Sequence, residues 1–287
     1  MYFDIFTSSF HDYWNYVINE VLNPSLTNYF YWLIGISLFF FLWEIILPWR
    51  KLQHRIRKDF WLDCFYMFFN FFLFSLIGYH AISTVFVQLF SDFLQVFGIE
   101  NLVAVNVAQL PKWSQLLTLF ILRDFIQWNI HRLLHKIPIL WNFHKIHHSV
   151  EQLGFAAHLR FHWMETVVYR TLEYIPLAMI GFGLEDFFIV HITALVIGHF
   201  NHSNIILPLG PLKYIFNNPQ MHYWHHSHTK YWPQKYGINF GLSLSLWDYL
   251  FKTNHIPDND GKVELGFENL DEFPKSFWSQ VVYPFKK

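Results

Sequence analysis

The chain has 287 residues, enough for one large domain or two, and is 53% hydrophobic, 22% aromatic and only 14% charged. Soluble domains carry about 25% charged residues, so this composition points to a membrane protein. Twenty Lys and Arg against 21 Asp and Glu give no electrostatic bias toward nucleic acid, and the single cysteine, Cys64, excludes an intramolecular disulfide framework and any Cys-rich zinc site.

Residues 1–26 carry aromatics, Asp4, Asp12 and Glu20 but no Lys or Arg. With no basic stretch ahead of an apolar core and no small-residue cleavage site, no signal peptide is expected. From about 27 to 49 runs an apolar stretch whose only charge is Glu44. It is long enough to cross a bilayer, which takes about 20 apolar residues. Arg50 to Lys58 then holds five Lys or Arg plus His54. The positive-inside rule places this short loop in the cytoplasm and the N-terminus outside. A second apolar run, about 61–90, is too long for one straight crossing and is expected to tilt or to bend around Gly78.

Residues 92–112 read as an external, partly interfacial segment, closed by Leu110-Pro111-Lys112, which opens the next helix. The third run, 113 to about 130, returns to the cytoplasmic side with Arg123 and Asp124 inside it. Ionisable groups at that depth are costly and commonly mark function. They stand seven or eight residues before His131, about two helical turns, so Asp124 is a candidate to orient an imidazole from behind. An internal Arg123–Asp124 ion pair with no role at a metal is the alternative.

Residues 167–180, the Gly181-Phe182-Gly183 turn and residues 187–200 form a helical hairpin that enters and returns, bringing His199 and His202 to the side of His131. From Leu207 the chain reads as soluble, with Pro208-Leu209-Gly210-Pro211 as a breaker and a polar stretch that includes Asp258, Asn259, Asp260 and Gly261. The expected organisation is therefore an N-terminal membrane region (1–112), a catalytic region (113–253) and a polar C-terminal tail (254–287). The expected fold is all-α and integral to the membrane, with about four transmembrane helices or hairpin arms and a histidine-rich cap on the cytoplasmic side.

Fourteen of the 18 histidines lie between His131 and His228. They form four groups: His131/His135, His144/His147/His148, His199/His202 and His222/His225/His226. Residues three or four apart share a helical face, so each group can aim two or three imidazoles at one point, and the topology above puts all four on one side of the membrane. A lone histidine is more often a core or surface residue than a ligand, but repeated His-x-x-His-His is not a lone histidine. Neutral imidazole suits Zn, Cu, Fe and Ni alike. At least nine candidates exceed the three or four ligands of one zinc site and suffice for two ions.

None of the groups contains an acidic residue of the kind that serves as general base in His-Glu-x-x-His. Together with the lack of a Gly-x-Ser-x-Gly elbow, a phosphate loop or a dinucleotide fingerprint, this favours redox activation of oxygen over hydrolysis. Two rivals stand beside it: a zinc-dependent membrane hydrolase, and a non-enzymatic metal-binding or transport protein, which would need ionisable residues along a membrane path. The chain has no flavin, nicotinamide or cytochrome signature and too few cysteines for an iron–sulfur cluster, so electrons would come from a separate ferredoxin, cytochrome or reductase.

Several stretches in combination resemble the fatty acid hydroxylase and sterol desaturase superfamily, over about residues 115–253. They are Asp124–His135, Trp141–Ser149, Arg160–Glu165, His202-Ser203-Asn204, Pro219–His226, and Asn239-Phe240-Gly241 followed by Trp247-Asp248. The resemblance implies a membrane enzyme with a histidine-ligated dinuclear centre, generally two irons, that hydroxylates or desaturates a sterol, fatty acyl or ether lipid with dioxygen, the alkyl chain entering by an apolar channel between the crossings. It implies catalytic and ligand roles for His131, His135, His144, His147, His148, His222, His225 and His226. It adds His162, with Trp163 in place of the usual Pro, and His202 as further ligands, and His199 as a ligand or as support for one. Asp124, Glu165, Asn239 and Asp248 are expected behind the ligands, and His158, His191 and His228 are expected to be structural. Lys252 stands where many relatives have Gly, a departure that affects a turn.

Overall fold

The computed structural model describes residues 2–72, 81–98, 107–257 and 263–286, so Gly78 and Asp258–Gly261 lie outside the described residues. Among those described the chain is helical, and pairing of extended backbone is confined to the isolated bridges Phe216–Leu244 and Ser227–Leu265.

The first helix, α1 (Tyr2–Leu22), occupies the aromatic N-terminal stretch, which has no Gly or Pro before Pro24. It packs on α4 (Ala81–Val96), and the Tyr2 hydroxyl donates to Asp92 Oδ2 at 2.7 Å. Between them come α2 (Tyr29–Ile46) and α3 (Phe60–Phe68). Among the described residues α2 is the one helix long and apolar enough to cross a membrane by length and composition. The apolar helical stretch Phe60–Phe72 is shorter.

Helix α5 (Lys112–Lys136) starts just after Pro111 and runs unbroken through the third apolar stretch to the first histidine pair. Pro138, favoured at a helix start because its missing N–H is not needed there, opens α6 (Pro138–His148). The expected hairpin is present as α7 (Trp163–Ile180) and α8 (Leu184–His202), turned at Gly181 with φ +102°. Glycine meets that left-handed conformation without a Cβ clash. Asp186 Oδ2 accepts from the Gly183 N–H at 3.2 Å and fixes the start of α8. The remaining helices are short: α9 (Pro219–His225), α10 (Leu246–Leu250) and α11 (Phe277–Val282).

Helix α8 is central, packing against α2, α5, α9 and the turn at 155–159. Leu33 and Phe40 of α2 meet Leu195 of α8 and Phe155, and on the opposite side Leu119 of α5 meets Leu177, Phe187 and Val190 of the hairpin. Glu44, the one charge of the first apolar run, has a structural task. Its Oε1 accepts from the backbone N–H of Phe155 at 2.8 Å and of Asn204 at 2.7 Å. The Trp49 N–H donates to Asn204 O at 2.9 Å, so the basic loop begins beside the end of α8.

The described part of the segment read as a polar tail is packed rather than loose. Phe277 lies 4.7, 4.8 and 4.6 Å, ring to ring, from Phe65, Tyr66 and Phe69, and the Tyr66 hydroxyl donates to Gln280 at 2.9 Å. The apolar residues that bring this about, Phe267, Phe273 and Phe277, are spread too thinly among polar ones to show a helical period.

Candidate metal centre

Helices α5, α6, α8 and α9 aim nine buried histidines at two points. His131, His135, His144, His148 and His225 form one group and His147, His202, His222 and His226 the other, with the potential ligand atoms of each group all within 4.8 Å of one another. A metal–nitrogen bond is about 2.0–2.1 Å, so ligands on opposite sides of one ion stand about 4 Å apart and neighbouring ones closer. Both groups have that size.

The helical period divides each motif between the groups. On α6, His144 and His148 are four apart and share a face, while His147 turns to the other group. At α9 the same division is exchanged: His222 and His226 stay together and His225 crosses over. The motifs thus interlock, with His148 and His226 rings stacked 4.5 Å apart and His147 and His226 4.6 Å apart.

Hydrogen bonds fix which nitrogen faces inward. The Nδ1 atoms of His131, His147, His202 and His225 lie 2.8, 3.1, 2.8 and 2.7 Å from the carbonyl oxygens of Phe240, Arg160, Gly198 and Ile238. A carbonyl only accepts, so each Nδ1 carries the proton and each Nε2 presents a lone pair. His147 Nε2 and His202 Nε2 nevertheless face each other at 3.3 Å. Two opposed lone pairs repel unless a cation lies between them. The Nε2 atoms of His135 and His225, the Nδ1 atoms of His222 and His226, and both nitrogens of His148 are buried without a partner. Buried polar atoms are normally satisfied, and a metal would account for His135 Nε2, His225 Nε2 and one nitrogen of His148; His222 and His226 meet their group through Nε2, so their Nδ1 atoms lie on the far side of the ring.

Burial pushes the imidazoles of His147, His148, His225 and His226 well below their ordinary value, and the neighbouring rings push in the same direction. For His222 the value falls to about 3. The rings are therefore neutral at pH 7, the form that ligates metals.

Glu165 stands directly behind the cluster, its Oε2 2.7 Å from His144 Nδ1. Asp248 and Asn239 act one step further back through the 238–241 loop. Asp248 accepts from Phe240 N at 2.9 Å, Gly241 N at 2.7 Å and Trp128 Nε1 at 3.1 Å, so it holds the loop whose Phe240 carbonyl takes the His131 proton. Asn239 reaches its bonds to Met221 and His255 from a positive φ of 51°.

Other expected site residues are placed differently. His162 is in neither group: its Nδ1 accepts from Met164 N at 3.1 Å and its Nε2 donates to Val281 O at 2.9 Å, so no lone pair is left for a metal. His199 is also outside both, with Nδ1 2.9 Å from His158 Nδ1 and Nε2 3.0 Å from Ser37 Oγ. Asp124 orients no imidazole. It accepts from Ser243 N, Leu244 N and Trp247 Nε1 at 2.8, 3.1 and 2.9 Å, and Arg123 pairs with Glu173 rather than with Asp124.

Arg160 had no expected role beyond its place in the Arg160–Glu165 stretch, and Asp63 was passed over. The Arg160 guanidinium donates to Asp63 Oδ1 at 3.0 Å and Ser149 Oγ at 2.9 Å, fixing the carbonyl that receives the His147 proton. Gly198 was also missed. A Cβ there would stand 2.0 Å from His158 Nε2. An interior helical glycine, four residues before His202, was its readable sign.

A cavity of about 110 Å³ borders the second group at His202 and His222; none of the first group's residues lines it. Its wall combines apolar Leu195 and Leu242 with polar Arg123, Gln127 and Asn201.

Residues 116–253 match the family model described as fatty acid hydroxylase. The chain is 32% identical over 179 residues to the ornithine lipid hydroxylase OlsE of Rhizobium tropici, covering 62% of this chain and 53% of that protein. Against the alkylglycerol monooxygenase of Homo sapiens it is 32% identical over 170 residues, 54% of this chain and 37% of that one. The Xenopus tropicalis alkylglycerol monooxygenase is 31% identical over 150 residues, 52% of this chain and 32% of that protein. The chain thus spans between about a third and about half of the length of these relatives. No solved structure matches.

Proposed function

Because the chain belongs to the fatty acid hydroxylase family through residues 116–253, we propose that it is an integral membrane lipid hydroxylase whose nine grouped histidines hold two iron ions. The carrying observation is the opposition of bare Nε2 lone pairs within all-histidine groups. Among the described residues no carboxylate belongs to either group, and Glu165 is engaged with His144, which speaks against a hydrolase needing a free general base. The relatives' names, hydroxylase and monooxygenase, favour hydroxylation over desaturation.

Two irons held there would supply the reduction of dioxygen, with the overall balance R–H + O2 + 2 e− + 2 H+ giving R–OH + H2O. The protein's own part is to fix the imidazole tautomers through the four carbonyls and Glu165, to leave the second group open toward the cavity, and to keep bulk water out. Electrons come from a ferredoxin, cytochrome or reductase docking on the cytoplasmic face.

In this reading α2 crosses the bilayer and Leu38, Phe39, Leu42 and Ile46, each more than half exposed, face lipid. The four crossings or hairpin arms and the cytoplasmic cap are supported by the Arg50–Lys58 loop, which starts where Trp49 binds Asn204, two residues past His202. Lipid mass spectrometry of cells with the intact protein and with a His147→Ala form tests the reaction. A lipid gaining one oxygen only with the intact protein supports it; identical lipid profiles contradict it.

A further inference from the structure

The polar end of the cavity carries information about what lies beside the oxidised carbon. Asn201 is 2% exposed, lines the cavity, and donates through Nδ2 to Leu242 O at 2.6 Å. That carbonyl can only accept, so the amide orientation is fixed and Oδ1 is unambiguously the other atom. Oδ1 is buried and has no donor. An unmet buried acceptor costs about 1–3 kcal/mol, a cost that a ligand donor would remove.

Arg123, the charged side chain of the wall, is paired with Glu173, which does not line the cavity. Glu173 takes Arg123 Nε on one oxygen and Gln127 Nε2 on the other, at 2.7 Å for the latter, so its carboxylate is fully engaged and offsets the guanidinium. A cationic headgroup would find no spare carboxylate here, and an anionic one would meet a charge already balanced. What suits the wall is a neutral group that donates one hydrogen bond.

Resting on the hydroxylase reading, we propose that the cavity against His202 and His222 receives the reacting end of the lipid, and that Asn201 selects a substrate bearing a neutral O–H or N–H beside the oxidised carbon. Free hydroxyls and secondary amides qualify. Plain hydrocarbon chains, ethers without a neighbouring hydroxyl, and fully esterified headgroups do not. Asn201 is a specificity-determining residue that needs no part in the chemistry at the metals.

The test is equilibrium binding of radiolabelled lipids to the intact protein in nanodiscs, without reductant, so that it is read independently of turnover. Two lipid pairs are compared: a long-chain monoalkyl glycerol ether with its di-O-methyl counterpart, and a long-chain secondary amide with its N-methyl counterpart. Wild type is expected to prefer the donor-bearing member of at least one pair by about tenfold or more. The pair that shows the preference identifies the donor as hydroxyl or amide.

Asn201→Leu is expected to abolish that preference, bringing the ratio to near unity. A purely structural role for Asn201 would weaken both members alike and leave the ratio unchanged, which overturns the proposal. Equal affinities for both pairs in wild type, or no binding of any of the four lipids, overturns it without recourse to the variant. A retained preference, with no oxidised product formed when an electron donor and dioxygen are then supplied, would instead count against the hydroxylase reading alone.

Discussion

The group of His131, His135, His144, His148 and His225 and the group of His147, His202, His222 and His226 draw on the same two motifs, yet only the second borders the cavity. The first offers five imidazoles and is enclosed by Trp141 and Trp232, whose rings stand 4.9 and 5.7 Å from His135. The second offers four and meets the cavity through His202 and His222. A full ligand set makes a closed site, and an incomplete one beside a cavity leaves a position for a reactant. The two groups differ because α8 supplies the second with a single histidine, His202, where α5 supplies the first with two, so any ions held there would meet unequal surroundings.

The largest effects are expected from breaking one group at a time. His225→Ala removes a proposed ligand of the closed group and His222→Ala a proposed ligand of the open group. Each should lower metal content and reduce lipid oxidation by more than the roughly 100-fold limit typical of residues behind the ligands. If either variant keeps full metal and activity, the grouping is wrong. Glu165→Ala comes next. It should cost about 10–100-fold in activity or metal affinity, with the loss confined to the first group because Glu165 contacts His144 and no second-group ring. Metal titration resolved by group checks this.

Gly198→Ala should act on the open side. Its methyl group would displace His158, which lies beside His202 with ring centres 5.1 Å apart, and overpacking of this kind costs about 1–3 kcal/mol. A lowered Tm with a disturbed second group is expected, and an unchanged Tm contradicts the contact. The smallest effect belongs to a turn remote from the difference between the groups. Lys252 holds φ +57°, a conformation costing a residue with a Cβ about 1–2 kcal/mol. Lys252→Gly should therefore stabilise by about 1 kcal/mol in denaturant unfolding, with both groups intact.

What the sequence made legible were features with a period or a charge pattern. The four histidine clusters, the hairpin broken at Gly181 and the first apolar helix are of this kind. The division of each motif between two groups was less visible, since His147 and His148 are adjacent in sequence but about 100° apart around the helix, and the axis of α6 is set by tertiary packing. Nor could sequence show the carbonyls of Arg160, Gly198, Ile238 and Phe240, because a backbone acceptor has no residue type. His162 has the right side chain in a matching motif, yet the loop geometry and Val281, 119 residues on, occupy both its nitrogens. For Arg123 and Asp124 adjacency was misleading: neighbours on a helix point apart, and each found its partner on another element.

The central proposal is that the nine histidines hold two iron ions in two distinct groups. Metal analysis of the purified protein, reconstituted anaerobically with ferrous iron and assayed in parallel for lipid oxidation, tests it most directly. The expected result is two irons per chain in active protein, falling to one in His225→Ala and in His222→Ala. Full activity with a single ion per chain, or with nonexchangeable zinc in both groups, would contradict it.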